Sequence, residues 1–312
     1  MNKKIPIFFA CNDNYVPYLD VAIISLIENS SKENNYEIII LKTDINEENQ
    51  AKLLKHAKDN VSIRFFDVKN ILEPLKKTLP DMFYYTLAAY YRLFIEKAFP
   101  EFDKAIYLDC DVVLLEDIAK LYNTDIGDNL VGAVYEQNCE RSPEFSSYVE
   151  NMIGIPYKTY FNSGVMLMNL KEFRNFHLQD RFIEMLTTYN FDTLATDQEY
   201  INVICHGRVK YLPTGWNKNS FPTEPEGKLN LCHFALSNKP WHYKDVINGE
   251  HFWKYAKKSE FYDYILNELN NYSDADKERD RQMFLGIVEG IERMKTSERT
   301  FKKLWFDKRK GD

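Results

Sequence analysis

The chain has 312 residues, 45% of them hydrophobic and 15% aromatic, with a formal net charge of −7. That much apolar side chain fills a sizeable core in one large domain or two small ones, and it excludes disorder over most of the length. The acidic balance argues against a nucleic-acid binder, which needs clustered basic surface to meet phosphates, but not against a single nucleotide held through a metal ion.

In chain order, residues 5–10 read as a strand buried on both faces and residues 18–28 as a helix. A second apolar run covers 37–41, and a helix follows over 46–58 with Glu47 and Glu48 in its first turn. Residues 61–66 make a third strand, 84–97 a helix, and 105–108 a fourth strand ending at Asp109. A further strand is expected over 130–135. Residues 136–160 lack a clear period and are long enough for a functional loop or small subdomain. Beyond them, 164–170 is β-like, 171–189 helical, 215–228 a loop, and the chain from 252 onward helical and highly charged. Strands alternating with helices predict an α/β fold whose mostly parallel sheet is flanked by helices and binds ligands beyond its carboxyl edge.

Cys11, Cys110, Cys139, Cys205 and Cys232 are odd in number and contain no Cys-x-x-Cys pair. They fit buried free thiols in a reducing compartment better than a zinc site or a disulfide framework. The apolar run after Lys3 and Lys4 is too short for a signal peptide and passes straight into Asn12-Asp13-Asn14. No run approaches the roughly 20 apolar residues of a membrane span. A cytoplasmic location is the expectation.

Asp109-Cys110-Asp111 is the sharpest chemical feature. In an extended segment residues two apart face the same side, so the two carboxylates converge beyond the sheet edge. There they repel unless a cation lies between them, and oxygen ligands suit Mg²⁺ or Mn²⁺. A solvated acidic turn is the plainer alternative. The run 229–233 ends at His233 and is followed by Lys239-Pro240-Trp241. The imidazole can complete a metal shell, tilting it towards Mn²⁺, and the Lys239 ammonium can meet phosphate oxygens; a hydrogen-bonded structural histidine is the competing reading. Asn12, Asn14 and Tyr15 at the exit of the first strand can hydrogen-bond and stack on a base, or form an ordinary Asx turn. Neither Gly-x-Gly-x-x-Gly nor a P-loop is present.

Six motifs in order resemble glycosyltransferase family 8, which includes bacterial lipooligosaccharide and lipopolysaccharide hexosyltransferases and glycogenin. They are Phe9-Ala10-Cys11-Asn12-Asp13-Asn14-Tyr15, Tyr91-Arg92-Leu93, Tyr107-Leu108-Asp109-Cys110-Asp111, Phe161-Asn162-Ser163-Gly164-Val165, Asp197-Gln198-Glu199, and His233 with Lys239-Pro240-Trp241. The resemblance spans residues 5–242. It implies a GT-A-type domain over 1–250 and a helical, charged extension over 251–312. It further implies a retaining enzyme that transfers glucose or galactose from a UDP-sugar to a glycan, glycolipid or protein acceptor. Asp109, Asp111 and His233 match the family's Mn²⁺ ligands, with Mg²⁺ as the alternative ion, and Lys239 matches its diphosphate contact. Ala10, Asn12, Asn14 and Tyr15 match the uridine-binding turn, and Cys110 joins the nucleotide-binding set. Arg92, Asn162, Asp197 and Gln198 match residues around the transferred sugar, and of these Gln198, Asp197 and Arg92 are the catalytic candidates. Gln198 is an amide and a poor nucleophile, which favours same-face attack by the acceptor; Asp197 and Glu199 are weaker candidates for a covalent nucleophile. An equally plain reading makes Asp197 a helix N-cap.

This sequence departs from the family at two positions: Asn12 stands where many relatives carry Asp, and Leu236 where some carry Gly. A metal-dependent nucleotidyltransferase and a non-catalytic UDP-sugar binder are the rival functions. Near the C-terminus Lys302, Lys303, Lys308, Arg309 and Lys310 interleave with Phe301, Leu304, Trp305 and Phe306. That pattern suits either peripheral association with the inner face of a membrane or a solvated helix end.

Overall fold

The computed structural model describes residues 4–42, 44–69 and 87–308. Strands β1 (Lys4–Cys11), β2 (Asn35–Lys42) and β3 (Val61–Asp67) pair in parallel in the order β1-β2-β3. β4 (Ala105–Leu108) lies on the other side of β1, also parallel. Next come β7 (Phe161–Met168), antiparallel to both its neighbours, then β6 (Val131–Tyr135) and, parallel to it, β8 (Val209–Tyr211). The sheet order is therefore β3-β2-β1-β4-β7-β6-β8, mostly parallel as the sequence predicts.

Successive residues of the central strands feed opposite cores. Ile7, Phe9, Ile38, Ile40, Ile106 and Leu108 join one, while Phe8, Ile39, Leu41 and Tyr107 join the other. That is why these runs are uninterruptedly apolar. Helix α1 (Val16–Asn29), with Pro17 in its first turn, covers the first face. The five cysteines are free and buried.

A second, three-stranded sheet is not legible as such in the sequence. Its order is β5 (Val112–Leu114), β10 (Leu231–His233), β9 (Lys218–Asn219), with β10 antiparallel to β5 and parallel to β9. It pairs His233 with Val112, the residue after Asp111.

Four expectations change. Residues 87–94 form tight three-residue turns and only Ile95–Ala98 is α-helical; residues 84–86 fall outside the described part. The expected helix over 171–189 breaks at His177, whose backbone is left-handed (φ 55°), into α2 (Leu170–Phe176) and α3 (Leu178–Tyr189). Strand β7 begins three residues earlier than expected, at Phe161, and Leu170 opens α2, capped by the Asn169 side chain. The stretch 136–160 holds short helices at Asn138–Arg141 and Pro143–Tyr148.

Helix α4 (Thr196–Cys205) flanks β7. Towards the C-terminus α5 (Gly249–Ala256), α6 (Tyr262–Asn271) and α7 (Asp274–Met294) follow. Phe252, Tyr255 and Ile265 enter the first core, Ile291 and Met294 the second. Ser273 and Asp276 cap α7 reciprocally, and the hydroxyls of Tyr243 and Tyr272 donate to Asp280 on its second turn at 2.8 and 2.7 Å. Phe301 stacks on Phe191 (centroids 4.0 Å apart) and Trp305 packs edge-on against Tyr189. These aromatics therefore face inward and not towards a membrane; Arg309 and Lys310 lie outside the described residues. Among the described residues no helix is long and apolar enough to cross a membrane.

Candidate active site

The carboxyl ends of β1 and β4 are neighbours, so the turn after β1 and the Asp109-Cys110-Asp111 segment open onto the same crevice. Cys110 is buried and its thiol donates to the Ala10 carbonyl at 3.1 Å, tying the two together. The backbone of Phe234 donates to the Asp111 carbonyl at 2.9 Å, which continues the β5–β10 pairing and carries His233 to the carboxylates.

Asp109, Asp111 and His233 each offer one ligand atom, all within 4.8 Å of one another. His233 Nε2 lies 3.2 Å from Asp111 Oδ1 and 3.8 Å from Asp109 Oδ2. Gly164 makes this possible: a Cβ there would come within 2.4 Å of the His233 ring and 2.5 Å of Asp109 Oδ2. The glycine of the Phe161–Val165 motif is thus a clearance for the cluster. Two carboxylate oxygens and one imidazole nitrogen form a donor set suited to a divalent ion that accepts both oxygen and nitrogen ligands.

A chain of buried amides orients the imidazole. Glu136 Oε2 accepts from Asn162 Nδ2 (2.7 Å), Asn162 Oδ1 accepts from Asn217 Nδ2 (2.9 Å), and Asn217 Oδ1 faces His233 Nδ1 at 2.8 Å. The Glu136 carboxylate can only accept, so each amide in turn is held one way round. The proton is placed on His233 Nδ1, and Nε2 is presented to the carboxylates. Glu136 and Asn217 do not stand out in the sequence. Glu136 opens the aperiodic stretch after β6, and Asn217 falls in the segment expected to be a loop.

Lys239, also buried, pairs through Nζ with Asp111 Oδ2, on the oxygen not facing His233, and donates to the Phe234 carbonyl at 2.6 Å. Burial opposes the Asp111 carboxylate, but Lys239 and His233 outweigh it and hold its pKa well below the usual range. Burial likewise opposes the His233 imidazolium, and Asp111 more than compensates, raising its pKa.

Arg92 is buried between two acids, 3.1 Å from Asp109 and 3.0 Å from Asp197. It also donates to the Ser163 hydroxyl at 3.1 Å and lies over the Tyr107 ring at 4.2 Å. Burial lifts the Asp197 pKa to about 6, with Arg92 opposing and Asp109 adding to the rise. Asp197 is in the first turn of α4 and not at its N-cap, which is Ala195. Gln198 Oε1 accepts from the Ser163 backbone at 3.0 Å, fixing its amide beside Asn162.

Glu199 is fully buried and does not line the crevice. Its Oε1 accepts from the backbones of Leu194 and Ala195 and from the Tyr148 hydroxyl, and burial lifts its pKa to about 7. It closes the start of α4 and is not placed to attack a sugar.

Two cavities meet at Arg92, Asp109 and Asp111. The smaller, about 200 Å³, is walled by Ala10, Tyr15, Tyr107 and Cys110. The larger, about 330 Å³, reaches past Asn162, Asp197, Gln198 and His233. Asn12 and Asn14 line neither; Asn12 Oδ1 instead accepts from the Tyr15 backbone at 3.1 Å. Tyr15 packs edge-on against Tyr18, which stacks on Trp241 (3.9 Å), joining this turn to the Lys239–Trp241 motif. Leu236 lines the larger cavity with a left-handed backbone, φ 61°, a conformation in which glycine is at ease and leucine is strained.

The sequence model of one family, Glycosyl transferase family 8, matches residues 6–245. Among curated proteins the chain is 28% identical over 252 residues to a putative glycosyltransferase of Haemophilus influenzae, covering 78% of this chain and 74% of that one. It is 24% identical to the lipopolysaccharide 1,2-glucosyltransferase of Escherichia coli K12 over 82% of this chain and 78% of the relative. Among solved structures, the bifunctional glycosyltransferase WbbM superposes with a TM-score of 0.74 at 24% identity; the match covers 86% of this chain and about half, 52%, of that one. The galactosyltransferase LgtC superposes with a TM-score of 0.64 at 24% identity, over 82% of this chain and 96% of LgtC. These structural likenesses establish a shared fold.

Proposed function

Since the chain belongs to glycosyltransferase family 8, we propose that it is a metal-dependent, retaining hexosyltransferase that moves glucose or galactose from a UDP-sugar to a hydroxyl of a glycan or glycolipid. The observation that carries this reading is the meeting of Asp109, Asp111 and His233 at the junction of two cavities. A diphosphate there has a nucleoside side, at Ala10 and Tyr15, and a sugar side, at Asn162, Asp197 and Gln198. Bound to the triad, Mn²⁺ would supply a Lewis acid for the phosphate oxygens.

The chain's own residues do the rest. Lys239, released from Asp111 Oδ2 or shared with it, offers a fixed cation to the leaving phosphate. Arg92 holds Asp109 and Asp197 in place, and Asp197 and Asn162 can grip sugar hydroxyls. Gln198, an amide locked to the Ser163 backbone, is suited to holding the developing cationic ring and not to bonding with it. In the proposed step the bond from sugar C1 to the phosphate oxygen breaks and one from C1 to the acceptor oxygen forms on the same face. The acceptor proton passes to the departing phosphate. A cytoplasmic setting is part of this reading. With Phe301 and Trp305 turned inward, any attachment to an anionic membrane would rest on Lys302, Lys303, Lys308 and the two basic residues after them, and would weaken with salt.

Incubation with Mn²⁺ and a panel of UDP-sugars is expected to release UDP from one UDP-hexose. Binding without turnover, even with acceptors supplied, would leave only a nucleotide-sugar binder. Pyrophosphate release from a nucleoside triphosphate would point to a nucleotidyltransferase, although the turn after β1 has neither Gly nor Lys to hold three phosphates.

The amide chain predicts a second result. Asn217→Leu removes the acceptor for His233 Nδ1–H, and Mn²⁺ affinity measured by calorimetry should drop roughly 10- to 100-fold. An unchanged affinity would show that the imidazole needs no such holder.

A further inference from the structure

The larger cavity changes character along its length. Its inner end is polar, formed by Asp109, Asp197 and Gln198. Its outer wall is α7, which lies beyond residue 245, where the family match ends. Phe284, Ile287, Val288 and Ile291 recur at i, i+3, i+4 and i+7 and all line the cavity, facing Phe145 and Leu194. The wall is seated closely: a Cβ on Gly290 would come within 2.5 Å of Leu194. Ile291 is buried and Ile287 and Val288 are half-buried, but Phe284 is 58% exposed; the outer end of the stripe is thus left open beside a polar centre, as at a surface that takes a ligand.

We infer that this wall is an acceptor subsite for a glycoside bearing a hydrocarbon chain, so that the acceptor class is a glycolipid. The inference rests on the transferase reading above and deepens it. An acceptor must bring a hydroxyl to the inner end while its remainder runs outward past α7. Four of these six apolar side chains are branched aliphatics, which pack against methylenes; a bare sugar or a polar polymer would leave them in contact with water. The stripe from Phe284 to Ile291 runs about 10 Å along the helix axis by helical rise, room for a chain of several methylenes.

The test compares octyl with methyl glucosides and galactosides, below micelle concentration, titrated into the full chain with Mn²⁺ and UDP. Because each pair shares its sugar, the ratio of affinities isolates the chain. The octyl member of one pair is expected to bind at least tenfold more tightly, and Phe284→Ser with Val288→Asn should bring that ratio close to one. Equal affinities, no detectable octyl binding, or a ratio untouched by the substitutions would each overturn the subsite. UDP release, followed in parallel, separates the two claims. Turnover without an octyl preference removes the subsite alone, whereas an octyl preference without turnover of any UDP-hexose removes the donor reading.

Discussion

Asp109→Asn is expected to lower the rate of UDP release by about a thousandfold or more, equivalent to roughly 4 kcal/mol of lost transition-state stabilisation. The substitution keeps the side chain's size but removes one of the two charges that, with His233, make the ion site. The replacement amide would still meet Arg92 through its carbonyl, so the protein should fold: the Asp109 side chain is 31% exposed and projects beyond the end of β4. Calorimetric titration should show Mn²⁺ binding weakened in parallel with activity, and thermal unfolding without metal should change little. His233→Ala should behave alike, and chelation of the wild-type enzyme should reproduce both. Retention of Mn²⁺-dependent turnover in Asp109→Asn and in His233→Ala would sink the proposed donor site.

How far this site was legible depended on which physical signal each part leaves in a sequence. The runs of β1, β2 and β4 are apolar on both faces because both faces are covered, and this betrayed a parallel sheet with Asp109 at its rim. The convergence of Asp109 and Asp111 followed from their spacing. Nothing local ties His233 to them, since it arrives through the antiparallel pairing of two three-residue strands too short to show a period; its own run offers it as a possible ligand, and the family resemblance assigns it to this metal. The expected strand falls three residues short of β7 because Asn162 and Ser163 look like loop residues. They are buried and satisfied by Glu136, Gln198 and Arg92, partners that no local pattern announces. The break at His177 carries no Gly or Pro to signal it. The apolar wall of α7 reads as an ordinary amphipathic stripe until the cavity it faces is known.

The second large effect is expected at Arg92. In Arg92→Met the aliphatic stem is kept over Tyr107, but Asp197 loses the cation 3.0 Å from it and Asp109 loses the same group at 3.1 Å. Leaving a buried carboxylate without its partner costs about 3–5 kcal/mol, so the variant should be markedly less stable to denaturant as well as inactive. The loss should also depend on pH. Burial already raises the Asp197 pKa from 3.8 to about 6 against the pull of Arg92; without the guanidinium it must rise further. An acid whose pKa is higher folded than unfolded binds more protons in the folded state between the two values, so stability falls as pH rises through that window. The wild type has this slope from 3.8 to about 6, and in the variant it should extend to higher pH. The stability deficit of Arg92→Met relative to wild type should therefore be small near about pH 5 and larger near about pH 8. Adding Asp197→Asn, which removes the charge to be buried, should restore much of the deficit at the higher pH. Denaturant unfolding of the three proteins at both pH values decides the matter: a deficit equal at both, or untouched by the second substitution, would mean that Arg92 acts by packing and not by neutralising Asp197.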